Sequence, residues 1–447
     1  MKFTPFLASG AAAMLIVPGS SANDEPQAPI SLDHGEASNF WDRLAPAADA
    51  IESAIEDSID FLTSGFETVK ETVGELQEEF QTQLDDAVQA VDDHHHHHPP
   101  KHDTRDHTIY ELISKSNYTK IFAKIVDEHP DVVKLLNSTH ASHNLTLFVP
   151  IDEAFEHIPD DHEKPSKEFV EALLQYHVGI GEYPAKRILS TDTIPTAYNE
   201  EWLGGEPQRL RVGLGLGGVN LNFYSRVVAV DIGAKNGVVH GIRSILVPPP
   251  MIGRILTLFP GEFSTLLLAY EKTEFVKFIH GVKMVGSTVF APSNRAFSSL
   301  GPRVNAFLFN TETGLKYLKA LLKYHIVANV TLYTDAVYDK TDGEAKEQSR
   351  EHFDLKTLLG DAHIGVDTAT FAGFTVIKVN GFANVVRRDA PGKNGVIHVL
   401  DKVLIPPRKH GEESLFEEIF EELTVEDLME RLDEFVEDGE NPNELEL

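Results

Sequence analysis

The chain contains no cysteine. That single absence removes disulfides, thiol catalysis, thiolate metal sites and iron–sulfur clusters together. Basic residues are also scarce: 39 Lys and Arg stand against 70 Asp and Glu, a formal net charge of −31 over 447 residues. A balance this acidic excludes nucleic-acid binding and attraction to anionic membranes for the chain as a whole, because both need basic patches. Long apolar runs are missing too. Beyond the first 22 residues none reaches the roughly 18 residues needed to cross a bilayer, so no transmembrane segment is expected in the mature chain. What is present is a hydrophobic content of 42%, enough for packed cores and incompatible with a wholly disordered chain.

The acid is concentrated at the two ends. Residues 23–100 hold 19 acidic side chains against Arg43 and Lys70, and residues 411–447 hold 16 against Arg431. Residues 101–410 carry 35 basic and 35 acidic side chains and are neutral. The exclusion of nucleic acid therefore rests on charge for the arms, and for the centre only on the lack of a basic cluster.

Residues 1–22 read as a secretory signal: Lys2 opens it, an apolar run from Phe6 to Val17 comes next, and Ser20-Ser21-Ala22 supplies small residues before a cleavage point. Four Asn-x-Ser/Thr triplets, at Asn117, Asn137, Asn144 and Asn329, are N-glycosylation candidates on such a route. The C-terminus lacks the apolar tail of a lipid-anchor signal, which predicts a soluble mature chain.

The neutral centre repeats itself. Phe148-Val149-Pro150-Ile151-Asp152-Glu153-Ala154-Phe155 returns as Phe290-Ala291-Pro292-Ser293-Asn294-Arg295-Ala296-Phe297. Leu173-Leu174-Gln175-Tyr176-His177 returns as Leu321-Leu322-Lys323-Tyr324-His325, and Asn236-Gly237-Val238-Val239-His240 as Asn394-Gly395-Val396-Ile397-His398. Three blocks in one order, about 150 residues apart, mean two copies of one domain. The first block reads as a buried strand running into a short helix that Asp152 or Asn294 can cap. The second closes an amphipathic helix, with Phe169, Leu173, Leu174 and His177 on one face. The third opens with the Asn-Gly hairpin signal and continues as an almost wholly apolar strand. Helix-rich early and β-rich late, each copy predicts an α+β fold.

These blocks resemble the fasciclin-type domain of extracellular adhesion proteins, whose pattern combines Phe-x-Pro-x-[Asp/Asn]-x-Ala-Phe, Tyr-His and Asn-Gly-x-[Val/Ile]-His. The resemblance covers roughly residues 104–407. It implies two domains, each a wedge-shaped β-sandwich with packed helices, flanked by acidic amphipathic helical arms. It also implies a non-catalytic role in extracellular, cell-wall or matrix adhesion, with a protein or cell-surface ligand as partner. In animal members an Asp-Ile pair before the Asn-Gly block and the Tyr-His region are linked to integrin binding. Asp231-Ile232 keeps the pair in copy one, while Asp389-Ala390 replaces Ile by Ala in copy two. The adhesion candidates are therefore Tyr176, His177, Asp231, Ile232, Tyr324 and His325. The plainer alternative has Asp231 capping a turn and Ile232 packing in the core.

Other motifs point to less. Gly213-Leu214-Gly215-Leu216-Gly217-Gly218 fits a dinucleotide fingerprint, but it leads into a strand-like alternation where a helix is required, so a hairpin turn is expected and no cofactor. No Ser/His/Asp or paired-carboxylate arrangement recurs in both copies, which predicts no enzyme. His94, His95, His96, His97 and His98 form a run that could bind a transition metal without a fold, or serve as a solvated linker. The N-terminal arm carries apolar residues every three or four positions from Leu44 to Val91, and the tail carries two short stripes, Leu415 to Leu423 and Leu428 to Val436. Taken together the expected organisation is a signal at 1–22, an acidic helical arm and His/Pro linker at 23–100, domains at 101–249 and 250–407, and an acidic helical tail at 408–447. A vacuolar luminal protein acting in membrane trafficking or autophagy is the alternative to a secreted one. Oligomeric state is not legible in the sequence.

Overall fold

A computed structural model describes residues 104–139, 144–155, 165–215, 218–340, 352–371, 374–407 and 423–436. The signal, the N-terminal arm with its histidine run, and the first tail stripe up to residue 422 lie outside the described residues.

The continuously apolar blocks of the repeat become central strands, buried along their whole length. In domain 1, β1 (Leu145–Pro150) runs parallel to β7 (Gly237–Ile242), with Leu145 opposite Gly237 and Phe148 opposite His240. Parallel strands need cover on both faces, which is why neither alternates apolar and polar residues. The remaining strands are β2 (Val178–Ile180), β3 (Thr193–Glu200), β4 (Glu206–Gly215), β5 (Gly218–Leu221) and β6 (Ser225–Ala234). Each pairs antiparallel with the next, and β2 pairs with β1, so the seven strands close into a barrel. The glycine-rich fingerprint is the β4–β5 hairpin, with Gly215 paired to Gly218.

Helices cover this sheet. α1 (Ile109–Lys115) begins at Thr108 with a closed capping box to Glu111. α2 (Lys120–Asp127) and α3 (Pro130–Asn137) come next, and their buried Phe122, Val126, Val132 and Leu136 pack with Leu145 and Leu147. α4 (Lys167–Tyr176) carries the Tyr-His block, and α5 (Ala185–Ile188) is a single turn.

Domain 2 repeats the plan with α6 (Ile252–Leu258), α7 (Pro260–Lys272), α8 (Phe275–Gly281), β8 (Ser287–Pro292), α9 (Asn294–Ser298), α10 (Gly301–Asn310) and α11 (Glu312–Tyr324). Then come β9 (Ile326–Ala328), β10 (Val330–Leu332), β11 (Val337–Asp339), β12 (His352–Lys356), β13 (His363–Phe371), β14 (Phe374–Val379), β15 (Ala383–Gly392) and β16 (Gly395–Leu400). Its seven-stranded sheet, ordered β12-β13-β14-β15-β16-β8-β9, stays open, and β10 pairs with β11 as a separate hairpin. The fold class is α+β, with two copies of one domain.

Two local expectations change. Asp152 does not cap its own turn: its Oδ1 accepts the Ile121 N–H at 2.9 Å, in the first turn of α2. Asn294 likewise serves another helix, accepting Thr265 N–H at 2.8 Å and donating to Gly261 O at 2.7 Å inside α7, while Ser293 caps α9. In the Asn-Gly blocks only the glycine has a positive φ, +154° at Gly237 and +150° at Gly395, and the Asn does other work. Asn236 is buried and staples the helices, accepting Ile109 N–H at 2.9 Å and donating to Leu136 O at 2.9 Å and Ser138 O at 3.0 Å. Gly237 is required by closeness, because a Cβ there would sit 1.9 Å from the Leu145 carbonyl oxygen.

The second tail stripe docks on domain 2. α12 (Val425–Leu432) is capped by Thr424, and Asp427 closes the capping box despite being one methylene shorter than Glu. Leu428 and Leu432 are fully buried against the domain 2 core, and Tyr317 donates its hydroxyl to Asp433.

Candidate interaction site

The three repeated blocks converge in each domain. Phe148 N–H donates to His177 O at 3.0 Å, and the Phe148 ring stacks on His240 with centroids 5.6 Å apart. In domain 2, Phe290 N–H donates to His325 O at 2.9 Å, and Phe290 stacks on His398 at the same separation.

The Tyr-His pairs hold this junction from inside. His177 Nδ1 donates to Leu173 O at 2.7 Å, and Leu246 N–H donates to His177 Nε2 at 2.9 Å. His325 does the same with Leu321 O and Leu404 N–H. With one ring nitrogen donating and the other accepting, both rings are neutral. Burial lowers the pKa of each to about 4. Tyr176 donates to Arg209 O and Tyr324 to His363 O, and each hydroxyl accepts from a left-handed Asn, Asn222 or Asn380, at 2.8 Å. Tyr176, His177 and Tyr324 are 0% exposed and His325 is 3% exposed, so no ligand can touch these four candidates in this conformation.

The Asp-Ile region is a strand bulge. Register shifts fall between Val227 and Ala229 and between Ala229 and Ile232 on β6, and Asp231 has φ +57°. The matching bulge on β15 places Asp389 at φ +60°. Each Asp N–H donates to the Nδ1 of the next strand's histidine at 3.3 Å, His240 or His398. Those histidines donate through Nε2 to Tyr183 O and Leu332 O, and burial lowers both pKa values. The bulges are thus built identically. Their surroundings are not.

At the domain 1 bulge Asp231 is exposed, its Oδ1 accepting Ala185 N–H at 2.8 Å at the start of α5. Val230 and Ile232 beside it are 46% and 38% exposed. Asp231 does cap a turn, whereas Ile232 is at the surface and not in the core. In domain 2, Asp389 is 1% exposed and its carboxylate accepts both the N–H and the hydroxyl of Thr334.

Beside Asp389, at Arg388 and Gly392, domain 2 meets domain 1. Arg209 on β4, 4% exposed, donates to Tyr338 Oη at 3.2 Å and to Asp335 Oδ1 at 3.4 Å. Thr193 donates to Asp335 through both its N–H and its hydroxyl. Gln208 Nε2 reaches Gly392 O at 2.9 Å, Arg211 Nε reaches Arg388 O at 2.9 Å, and Arg388 closes on Asp192 at 2.6 Å. Leu203 of domain 1 packs into a small apolar cluster with Tyr333, Ala336, Tyr338 and Val396. None of these partners stands out in the sequence. Their one visible signal is Arg209 and Arg211 inside a strand of copy one, where the register of copy two has His363 and Gly365.

The glycosylation candidates differ in their surroundings. Asn117 is exposed and makes no hydrogen bond among the described residues. Asn137 accepts Thr108's hydroxyl at 2.7 Å, Asn144 donates to Glu182 at 2.6 Å, and Asn329 accepts Val285 N–H at 2.8 Å. An open cleft of about 420 Å³ on domain 2 is lined by residues such as Leu268, Phe297 and Phe309 and by no ionisable side chain. Among the described residues no cluster of His, Asp and Glu is placed to hold a metal, and no helix is long and apolar enough to cross a membrane.

Comparison with known proteins agrees with the repeat. The fasciclin domain profile matches residues 117–248 and 261–406. Aurofusarin biosynthesis cluster protein S of Gibberella zeae is 31% identical over 338 residues, covering 69% of this chain and 80% of that protein. Stabilin-2 of Rattus norvegicus is 28% identical over 198 residues, covering 41% of this chain but only 13% of that protein. A solved fasciclin domain pair from the insect cell adhesion molecule fasciclin I aligns at 20% identity and a TM-score of 0.31, over 64% of this chain and 96% of that one. With two profile matches and a fungal relative aligned over most of its length, this chain belongs to the fasciclin domain family.

Proposed function

We propose that this chain is a non-catalytic adhesion protein of the secretory route, contacting a protein or matrix ligand through the domain 1 bulge at Val230, Asp231 and Ile232. The observation that carries the reading is the contrast in exposure between Asp231 and Asp389, because an interaction surface must be reachable and only the first copy leaves it open. Two half-exposed aliphatic side chains flanking a carboxylate suit a docking contact better than catalysis, which would need a pocket and a perturbed titratable pair. The buried Tyr-His pairs act as the lock that fixes the bulge's neighbours, not as contact residues.

The test is adhesion of the secreted full chain to cells or matrix. An Ile232→Ser, Val230→Ser double variant is expected to lose binding while its circular dichroism is unchanged; binding at wild-type strength would refute the surface. A second reading takes its cue from the name of the Gibberella zeae relative, a biosynthesis cluster protein. Unchanged adhesion together with altered product formation on gene deletion would favour it.

A further inference from the structure

The domain seam holds an arrangement that neither the fold nor the adhesion surface accounts for. Asn329, Val330 and Thr331 form an Asn-x-Thr triplet on the edge of domain 2. Thr331 is 1% exposed, and its Oγ1 is buried without a hydrogen-bond partner among the described residues. An unsatisfied buried hydroxyl is uncommon and unfavourable, and valine would fill the same space without the penalty. The folded protein has no use for that hydroxyl. The enzyme that glycosylates asparagine does, since it reads the Thr hydroxyl before the chain has folded.

The asparagine itself is presented for such a group. Its Oδ1 is held by Val285 N–H at 2.8 Å, while Nδ2 has no partner among the described residues and the residue is half-buried. This contrasts with Asn144, whose Nδ2 is committed to Glu182 at 2.6 Å. Asn329 also sits at the domain junction. Its N–H donates to Gly286 O at 3.1 Å, and Gly286 N–H donates to Trp202 O of domain 1 at 2.7 Å. Trp202 and Val285 are each 41% exposed, the first joined to Gly286 through its carbonyl and the second preceding Gly286 in the chain.

We propose that Asn329 carries an N-linked glycan whose first N-acetylglucosamine units lie along the seam against Trp202 and Val285, joining the two domains on the outside. In the modification, Asn329 Nδ2 attacks the anomeric carbon of a polyprenyl-diphosphate oligosaccharide. The carbon–nitrogen bond forms, the carbon–oxygen bond to the diphosphate breaks, and the amide proton passes to the transferase's base. Nothing is oxidised or reduced. Sugars offer one apolar face of C–H groups to an indole, and the ordered amide would limit the directions the glycan can take. This inference rests on the secretory reading above.

The experiment uses the full chain secreted from a eukaryotic host, with peptide mass spectrometry and native-condition cleavage by peptide N-glycosidase. Asn329 is expected to be occupied, and its glycan to be released about tenfold more slowly than that on Asn117, as for a site that must open locally. Trp202→Ala should bring the two rates together without changing occupancy. Thr331→Val should abolish occupancy and leave thermal stability equal or higher. Occupied Asn117 with empty Asn329, or equal release rates in the unmodified chain, would overturn the proposal alone. Four empty triplets would overturn the secretory reading along with it.

Discussion

At the β6 bulge the Asp231 carboxylate is exposed between Val230 and Ile232, whereas at the β15 bulge Asp389 is buried against Thr334, next to Arg388 where domain 1 makes contact. Both sites descend from the same sequence block and share the same histidine contact at 3.3 Å. The difference arises in the segments just after β2 and β9. In domain 1 the chain turns through α5 and pairs β2 with β3, closing the barrel. In domain 2 it forms the β10–β11 hairpin, whose tip at Tyr333–Ala336 lays Thr334 on Asp389 and carries Asp335 to Thr193 of domain 1. The repeat thus holds two copies of one bulge, one with an exposed Asp and one with a buried Asp beside the domain contact.

The shared skeleton can be broken first, with the largest effects. His177→Ala and His325→Ala should each cost about 4 kcal/mol, because each leaves two buried backbone groups unpaired as well as a cavity. Equal losses in urea unfolding would confirm that the two locks are equivalent, and a marked inequality would separate them. Acid should act on the same pair. Both rings are neutral when folded, with pKa values held to about 4, while an unfolded histidine takes its proton near 6.5. The unfolded chain therefore binds more protons between those values. Stability is complete above about pH 6.5 and falls as pH drops towards 4, by about 3 kcal/mol per histidine. Urea midpoints across that range check it, and a flat profile would contradict the neutral locks.

The domain contact is the next target. Arg209→Ala removes a buried cation that meets Thr193, Tyr338 and Asp335, and should cost about 3 kcal/mol. Two unfolding transitions should replace one. The smallest stability effect belongs to Ile232→Ser. As a surface change it should shift stability by no more than about 0.5 kcal/mol while removing adhesion. A large loss of stability would place Ile232 in the core after all.

The repeat and the buried central strands are legible in the sequence because each is a local pattern. The exposure of Ile232 is not, since the two register shifts on β6 break the alternation by which a strand's faces are read. Asp152 and Asn294 look in sequence like caps of the turns they begin, but their partners lie 31 and 29 residues away on other helices. The domain contact is the least legible. Thr193 and Asp335 are 142 residues apart, and nothing in either neighbourhood names the other.

The central claim is that one bulge is open and its twin is closed. Carboxyl footprinting of the intact chain, with a carbodiimide and an amine and peptide mass spectrometry, tests it directly. Asp231 should be labelled readily and Asp389 should not. Equal labelling of the two in the native chain would contradict the account.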